Sequence, residues 1–248
     1  MSIATADRVI VPWSIDSSIA PLDSALKPVL TSSDFRRLAD DKEWQALERM
    51  KCQRDPWYAL VNLCVTVDER YMEKGLPSPY RRFPATQPMQ SYAHVMFTEP
   101  HSLWPKSRQQ LLTWLATSMS GLESLFAEAR LVLIQSKRWE DSKKALKRFR
   151  GVYGRLRGMA PWLVPELVKD DVAEIGFSNN STIMAVPSGE NYVQSNTPSH
   201  WICDETQLQD PSTKLAFEQA LPAVGRIMLI GSADYSWFWQ TLLQGKQE

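Results

Sequence analysis

Cysteine is scarce in this sequence, neither sign of charge is in excess, and no apolar run is long enough to cross a bilayer. Each absence excludes a class of protein. The three cysteines (Cys52, Cys64 and Cys203) are odd in number and lack the spacing of metal ligands. They read as buried, reduced thiols of a cytosolic protein. Twenty-eight Lys and Arg balance twenty-eight Asp and Glu, so net charge points to no acidic partner and only local clustering can. The N-terminal stretch MSIATADRVIVPW has no apolar core long enough for a secretory signal. The longest uncharged run near the middle, QQLLTWLATSMSGL, is too short and too polar for a membrane span. There is no internal repeat or low-complexity tract. What is present is a globular composition, 44% apolar and 23% charged, in 248 residues. That is enough chain for one large domain or two small ones, and a soluble protein is expected.

Along the chain, residues 1–33 carry Pro12, Pro21 and Pro28 without a sustained period and read as an extended arm. DFRRLADDKEWQALERM (34–50) predicts a helix, with Phe35, Leu38, Trp44, Leu47 and Met50 near helical spacing and Asp34 available as a cap. RDPWYALVNLCVTVDE (54–69) predicts a second helix starting after Pro56. Pro77, Pro79, Pro84 and Pro88 lie between Tyr71 and Gln90, where a connecting strap without regular structure is expected. Beyond residue 100 the pattern changes. LVLIQS (131–136), STIMAVPS (181–188), HWICDE (200–205) and RIMLIGSA (226–233) read as short buried strands. They alternate with helices at 111–126, where Leu111, Leu115, Met119, Leu122 and Phe126 share a face, and at 138–156. This alternation predicts an α/β fold with a mainly parallel central sheet flanked by helices, whose ligands sit at the carboxyl ends of the strands.

The strand ends are therefore where chemistry is sought. WPKSRQQLLTW (104–114) joins a possible strand, PHSLWP, to the helix at 111–126. A loop of the form G-x-x-x-x-G-K-[ST] uses glycines to bring backbone N–H groups against phosphate, then a lysine and a hydroxyl. Here Lys106 stands at the front, Thr113 follows, and no glycine lies between them. A polar turn with a solvated lysine explains this stretch alone equally well. HWICDE ends in the acidic pair Asp204–Glu205, the kind of strand exit that holds Mg²⁺ and orients water in P-loop ATPases. A solvated strand exit is the plainer alternative. The basic run Lys137, Arg138, Lys143, Lys144, Lys147, Arg148, Arg150, Arg155 and Arg157 reads first as a solvated helix face, with Glu140 and Asp141 in its first turn. Contact with a nucleic-acid backbone is its functional alternative.

In their order, these segments resemble the ATPase domain of the large terminase subunit of tailed bacteriophages. The resemblance runs from about residue 54 to 240. DPWYALVNLCVTVDE with RRFP is similar to the segment ahead of the family's nucleotide loop, and PKSRQQLLTW to its variant loop with the lysine moved to the front. LVLIQSKRWEDSKKALKRF with APWLVP is similar to the stretch that follows, and STIMAVPS, HWICDE and LIGSA to the middle strand, acidic-pair strand and coupling motif. The resemblance implies an ASCE-type P-loop NTPase with a helical N-terminal extension: an arm and helix over 1–53 and the ATPase domain over 54–248. It implies ATP and Mg²⁺ as cofactors, with Lys106 on the phosphates and Ser107, Arg108 and Gln109 as loop contacts. Thr113 and Asp204 would hold the metal, Glu205 would be the catalytic carboxylate, and Ser232 and Ala233 would couple hydrolysis to movement. Trp57 and Tyr58 would lie near the adenine or in the core.

Two departures stand out: Leu111 occupies the loop's usual glycine position, and Gln194, Ser195, Asn196 and Thr197 replace an Arg-Gly-x-Thr segment. Without that arginine, slow hydrolysis by the isolated chain is expected, with Arg226 or the 137–157 cluster as candidate positive groups on assembly. The family further implies double-stranded DNA, a portal protein and a small terminase subunit as partners, a homo-oligomeric ring, and the cytoplasm of an infected bacterium. A C-terminal nuclease of that family is absent from this sequence, so a longer parent protein is expected. The alternatives are another P-loop motor, such as a helicase, and a degenerate module that binds portal or DNA without hydrolysis.

Overall fold

A computed structural model describes residues 39–68, 70–106, 111–189, 196–209 and 212–232. Helix α1 (Lys42–Arg54) starts at Asp41, whose Oδ1 accepts from the Trp44 N–H at 2.9 Å. The apolar spacing misassigned its buried face. Leu47 and Met50 are exposed, and Gln45, Glu48 and Cys52 point inward. Glu48 can be buried because the Tyr58 hydroxyl donates to it at 2.6 Å and the Lys51 ammonium lies 3.2 Å away. The proposed cap Asp34, with Phe35 and Leu38, falls outside the described residues.

Helix α2 (Pro56–Asn62) is shorter than its apolar run suggested. The β-branched Val65, Thr66 and Val67 form strand β1 instead, antiparallel to β2 (Tyr80–Arg82), with Thr66 opposite Arg81. The strap is thus not free of regular structure. Pro79 and Pro84 flank β2 rather than interrupt it, and Pro88 sits in the first turn of α3 (Gln87–Thr98), where no backbone donor is needed.

The remaining elements build the main sheet. In chain order they are β3 (His101–Pro105), α4 (Leu112–Phe126), β4 (Leu131–Gln135), α5 (Trp139–Met159), β5 (Leu167–Asp171), β6 (Glu174–Phe177), β7 (Thr182–Val186), β8 (His200–Cys203), a 3-10 turn (Thr206–Leu208), α6 (Ser212–Ala220) and β9 (Arg226–Gly231). The strand order is β3-β9-β8-β4-β7-β6-β5. The first five are parallel; β6 and β5 add an antiparallel hairpin that the sequence reading missed. Strand β9 is inserted between β3 and β8. It puts the ends of β3 and β8 two strand spacings apart, about 10 Å.

Alternation along the strands feeds two cores. Ile202, Met228 and Ile230 face α4, whereas Trp201, Cys203, Ile227 and Leu229 face α6. Helix α4 is buried on most sides, including Ser118, Ser120 and Ser124. Gly121 permits this, because a Cβ there would come within 2.3 Å of the buried Phe149 ring on α5. All three cysteines are buried and free, and burial pushes the Cys64 and Cys203 thiols up to about 12.

At the amino-terminal end of the sheet lies a half-buried polar cluster around the buried His200. Glu123 on α4 meets Arg226 Nη1 at 3.0 Å, His200 Nε2 at 3.4 Å and Arg130 Nη2 at 3.5 Å. Arg226 also donates to the Phe97 carbonyl at 2.9 Å and lies over the Phe97 ring. Burial works to raise the Glu123 pKa, but His200, Arg226 and Arg130 outweigh it and hold it at about 2, below the ordinary 4.5. Burial pushes the His200 pKa below its ordinary 6.5. Both groups therefore bind protons more readily when the chain is unfolded, so both withdraw stability as pH falls. The Glu123 contribution is complete above 4.5 and is lost as pH falls toward about 2. It amounts to on the order of 3 kcal/mol. Glu123→Gln is accordingly expected to unfold at lower urea than wild type at pH 7, with the difference shrinking through that acid window. A constant difference from pH 7 to pH 2 contradicts this assignment.

Candidate functional site

Strand β3 ends at Pro105, and the next N–H, that of Lys106, donates to the Gly231 carbonyl of β9 at 2.8 Å. From that fixed point the Lys106 side chain reaches across the sheet end. Its Nζ lies 2.6 Å from Thr113 Oγ1, in the first turn of α4, and 2.7 Å from Asp204 Oδ1, just past β8. The Lys106 and Asp204 side chains are 17% and 18% exposed. Residues 7 and 98 positions away from the lysine thus meet it at one point.

The acidic partner is held from both sides. The Asp204 N–H donates to Gln135 O at 2.8 Å, and its carbonyl accepts from Gln209 Nε2 at 2.8 Å. Gln135 is fully buried at the end of β4; its amide donates to Pro187 O and Gly189 O and accepts from the Trp201 indole. The ends of β4, β7 and β8 are therefore tied together beneath the site. Glu205 adopts a left-handed backbone, φ 49°, which is strained for a residue with a Cβ. Its Oε2 lies 3.8 Å from Lys137 Nζ, at the end of β4. Below it, the buried Thr206 hydroxyl sits within bonding distance of Cys203 O and Ile230 O. Gln207 Oε1 accepts from the Ser232 N–H at 3.0 Å. One amide side chain thus links the acidic-pair turn to the end of β9.

Sequence reasoning missed Lys137, Gln135 and Gln207 as neighbours of this site. Lys137 was legible only as one member of a basic run. The two glutamines carry no motif, and their partners come from other strands.

Leu111 takes the conformation that glycine would supply. It has φ 56° and ψ 6°, precedes α4, and leaves its side chain 44% exposed. A left-handed backbone costs an L-residue roughly 1–2 kcal/mol, and the greater freedom of unfolded glycine offsets only part of that. Leu111→Gly is expected to raise stability by up to about 1 kcal/mol. A lower melting temperature by circular dichroism would show that the Leu111 side chain makes a compensating contact.

Other expected residues lie elsewhere. Ser107, Arg108, Gln109 and Ala233 fall outside the described residues, as do Gln194 and Ser195. Trp57 is buried edge-on against Phe83, and Tyr58 is engaged by Glu48, so both are core aromatics. Arg226 belongs to the cluster at the opposite end of the sheet. Much of the basic run is neutralised: Lys143 pairs with Glu140, Lys144 with Asp141, Arg150 with Asp170 and Arg157 with Glu166. No helix among the described residues is long and apolar enough to cross a membrane.

No family model and no curated protein matches the sequence. Solved structures do match the fold. A mutant of the large terminase ATPase domain from a Thermus phage superposes with a TM-score of 0.51 at 15% identity, over 72% of this chain and 75% of that one. The large terminase of bacteriophage HK97 gives 0.49 at 12% identity, over 70% of this chain and 36% of that one. That of a thermophilic bacteriophage in complex with ADP gives 0.47 at 12%, over 65% and 43%. The chain thus spans less than half of either large terminase. It has the ASCE-type P-loop fold found in the phage large terminase ATPase domain.

Proposed function

We propose that this chain is the ATPase portion of a phage DNA-packaging terminase. The convergence of Lys106, Thr113 and Asp204 at the carboxyl ends of parallel strands carries the proposal. In this reading Lys106 binds the β- and γ-phosphates of ATP, with Ser107, Arg108 and Gln109 completing the loop. Asp204 and Thr113 offer hard oxygen ligands at one point, and the cation already between them is an ammonium, so the donor set fits Mg²⁺. Among the described residues no three His, Cys, Asp or Glu are grouped to hold a metal, and phosphate and water oxygens would complete the coordination of the ion. When bound, the ion neutralises charge on the phosphates. Glu205 orients the water that attacks the γ-phosphorus and takes its proton as the bond to the bridging oxygen breaks. Ser232 and Ala233 carry the change onward, and the bond between Gln207 and Ser232 N–H gives that coupling a physical route.

The work done would be translocation of double-stranded DNA in a homo-oligomeric ring on a portal protein. A small terminase subunit would present the DNA, in the cytoplasm of an infected bacterium. A second reading, a P-loop module that binds portal or DNA without hydrolysis, is favoured by Leu111 in place of glycine. ATPase rate measured against subunit concentration, with and without portal and DNA, separates the two. Slow turnover that rises on assembly is expected, because the chain, whose loop lacks glycine, also lacks the family's Arg-Gly-x-Thr segment and assembly brings positive charge from a neighbour. A fast rate independent of concentration means the single chain's site is complete. No turnover in any assembly favours the non-hydrolysing module, and DNA-dependent unwinding favours a helicase.

A further inference from the structure

We infer that Lys106 also acts as a placeholder for the divalent cation, holding the metal's own ligands until a nucleotide draws it away. The inference concerns regulation of the site proposed above and, in its nucleotide half, rests on that reading. Its basis is positional. The ammonium does not merely lie near the acidic pair; it bonds to both Thr113 Oγ1, at 2.6 Å, and Asp204 Oδ1, at 2.7 Å. These are the two oxygens that fit a hard cation.

The three groups differ in mobility. Thr113 is fixed in the first turn of α4, and Asp204 is clamped by Gln135 O on one side and Gln209 on the other. Lys106 has its backbone pinned to Gly231, but four side-chain torsions let its tip swing. A metal entering alone must break two charge-assisted contacts and leave a lysine beside a doubly charged ion. A nucleotide removes that obstacle, because phosphate oxygens give the ammonium new acceptors and release Thr113 and Asp204 together. Metal and nucleotide binding are then positively coupled through one side chain, and by linkage each favours the other. The device also keeps Asp204 neutralised, so that the free carboxylate does not recruit a stray divalent ion.

The test is Mn²⁺ binding to the 248-residue chain without nucleotide, read by the electron paramagnetic resonance of free Mn²⁺, with circular dichroism to check folding. Removal of the competing ammonium in Lys106→Met and Lys106→Ala is expected to tighten Mn²⁺ binding by roughly tenfold, the equivalent of one charged hydrogen bond. Lys106→Arg, which keeps a cation there, stays near wild type, and Asp204→Asn added to Lys106→Met abolishes the gain. Unchanged or weaker Mn²⁺ binding in the folded Met and Ala variants overturns the placeholder. A separate titration of wild type with ADP tests the nucleotide reading. Tighter Mn²⁺ in the variants with no ADP binding by wild type supports the placeholder and sinks the nucleotide site. ADP binding with no gain in Mn²⁺ does the reverse.

Discussion

Lys106→Ala is expected to weaken Mg-ATP binding by roughly a hundredfold while leaving the fold intact. A hydrogen bond from a charged donor contributes about 1.5–3 kcal/mol, and a lysine bridging two phosphates makes more than one. Folding should survive because the side chain lies at the rim of the sheet end, and Asp204 keeps its backbone contacts to Gln135 and Gln209. Calorimetry with Mg-ATP, alongside circular dichroism, measures both. Unchanged affinity in a folded variant removes Lys106 from the site. This substitution has a second, opposite expected effect, tighter binding of Mn²⁺ alone. No general damage to the site produces both signs.

The second large effect separates the acidic pair. Glu205→Gln keeps the shape of the side chain but removes the base, and turnover is expected to fall by about 10²–10⁴-fold with ATP still bound. The left-handed backbone at Glu205 is unaffected by that change, so loss of aim does not confuse the result. Asp204→Asn should act earlier, as a loss of Mg²⁺-dependent nucleotide binding, because an amide is a poorer ligand than a carboxylate. Bound-nucleotide analysis and single-turnover rates distinguish the two. Full activity in both variants would make HWICDE an ordinary strand exit.

How much could be read in advance differs element by element. LVLIQ, TIMAV, HWIC and RIMLIG form central or near-central parallel strands that feed apolar cores on both faces, so each reads as a short apolar run. The hairpin β5–β6 left no such mark, because β5 is an edge strand exposed over Lys169, Asp170 and Asp171. Helix α1 misled for the opposite reason. Its inward residues include Glu48 and Gln45, made tolerable by partners, Tyr58 and Ala39 O, that periodicity does not register.

For the site, the sequence by itself determined which side chains stand at strand ends: Lys106 after β3, the acidic pair after β8, Ser232 after β9. Those positions follow from local apolar patterning, which a single segment carries. Only the tertiary structure decided that β9 lies between β3 and β8, and that Lys106, Thr113 and Asp204 therefore converge. It alone brought Lys137 to Glu205 and Gln207 to Ser232, and sent Arg226 to the opposite end of the sheet. It also gave Leu111 a glycine's backbone angle. Strand order and backbone handedness are set by contacts between distant segments, where packing of the whole sheet outweighs the preference of any one residue.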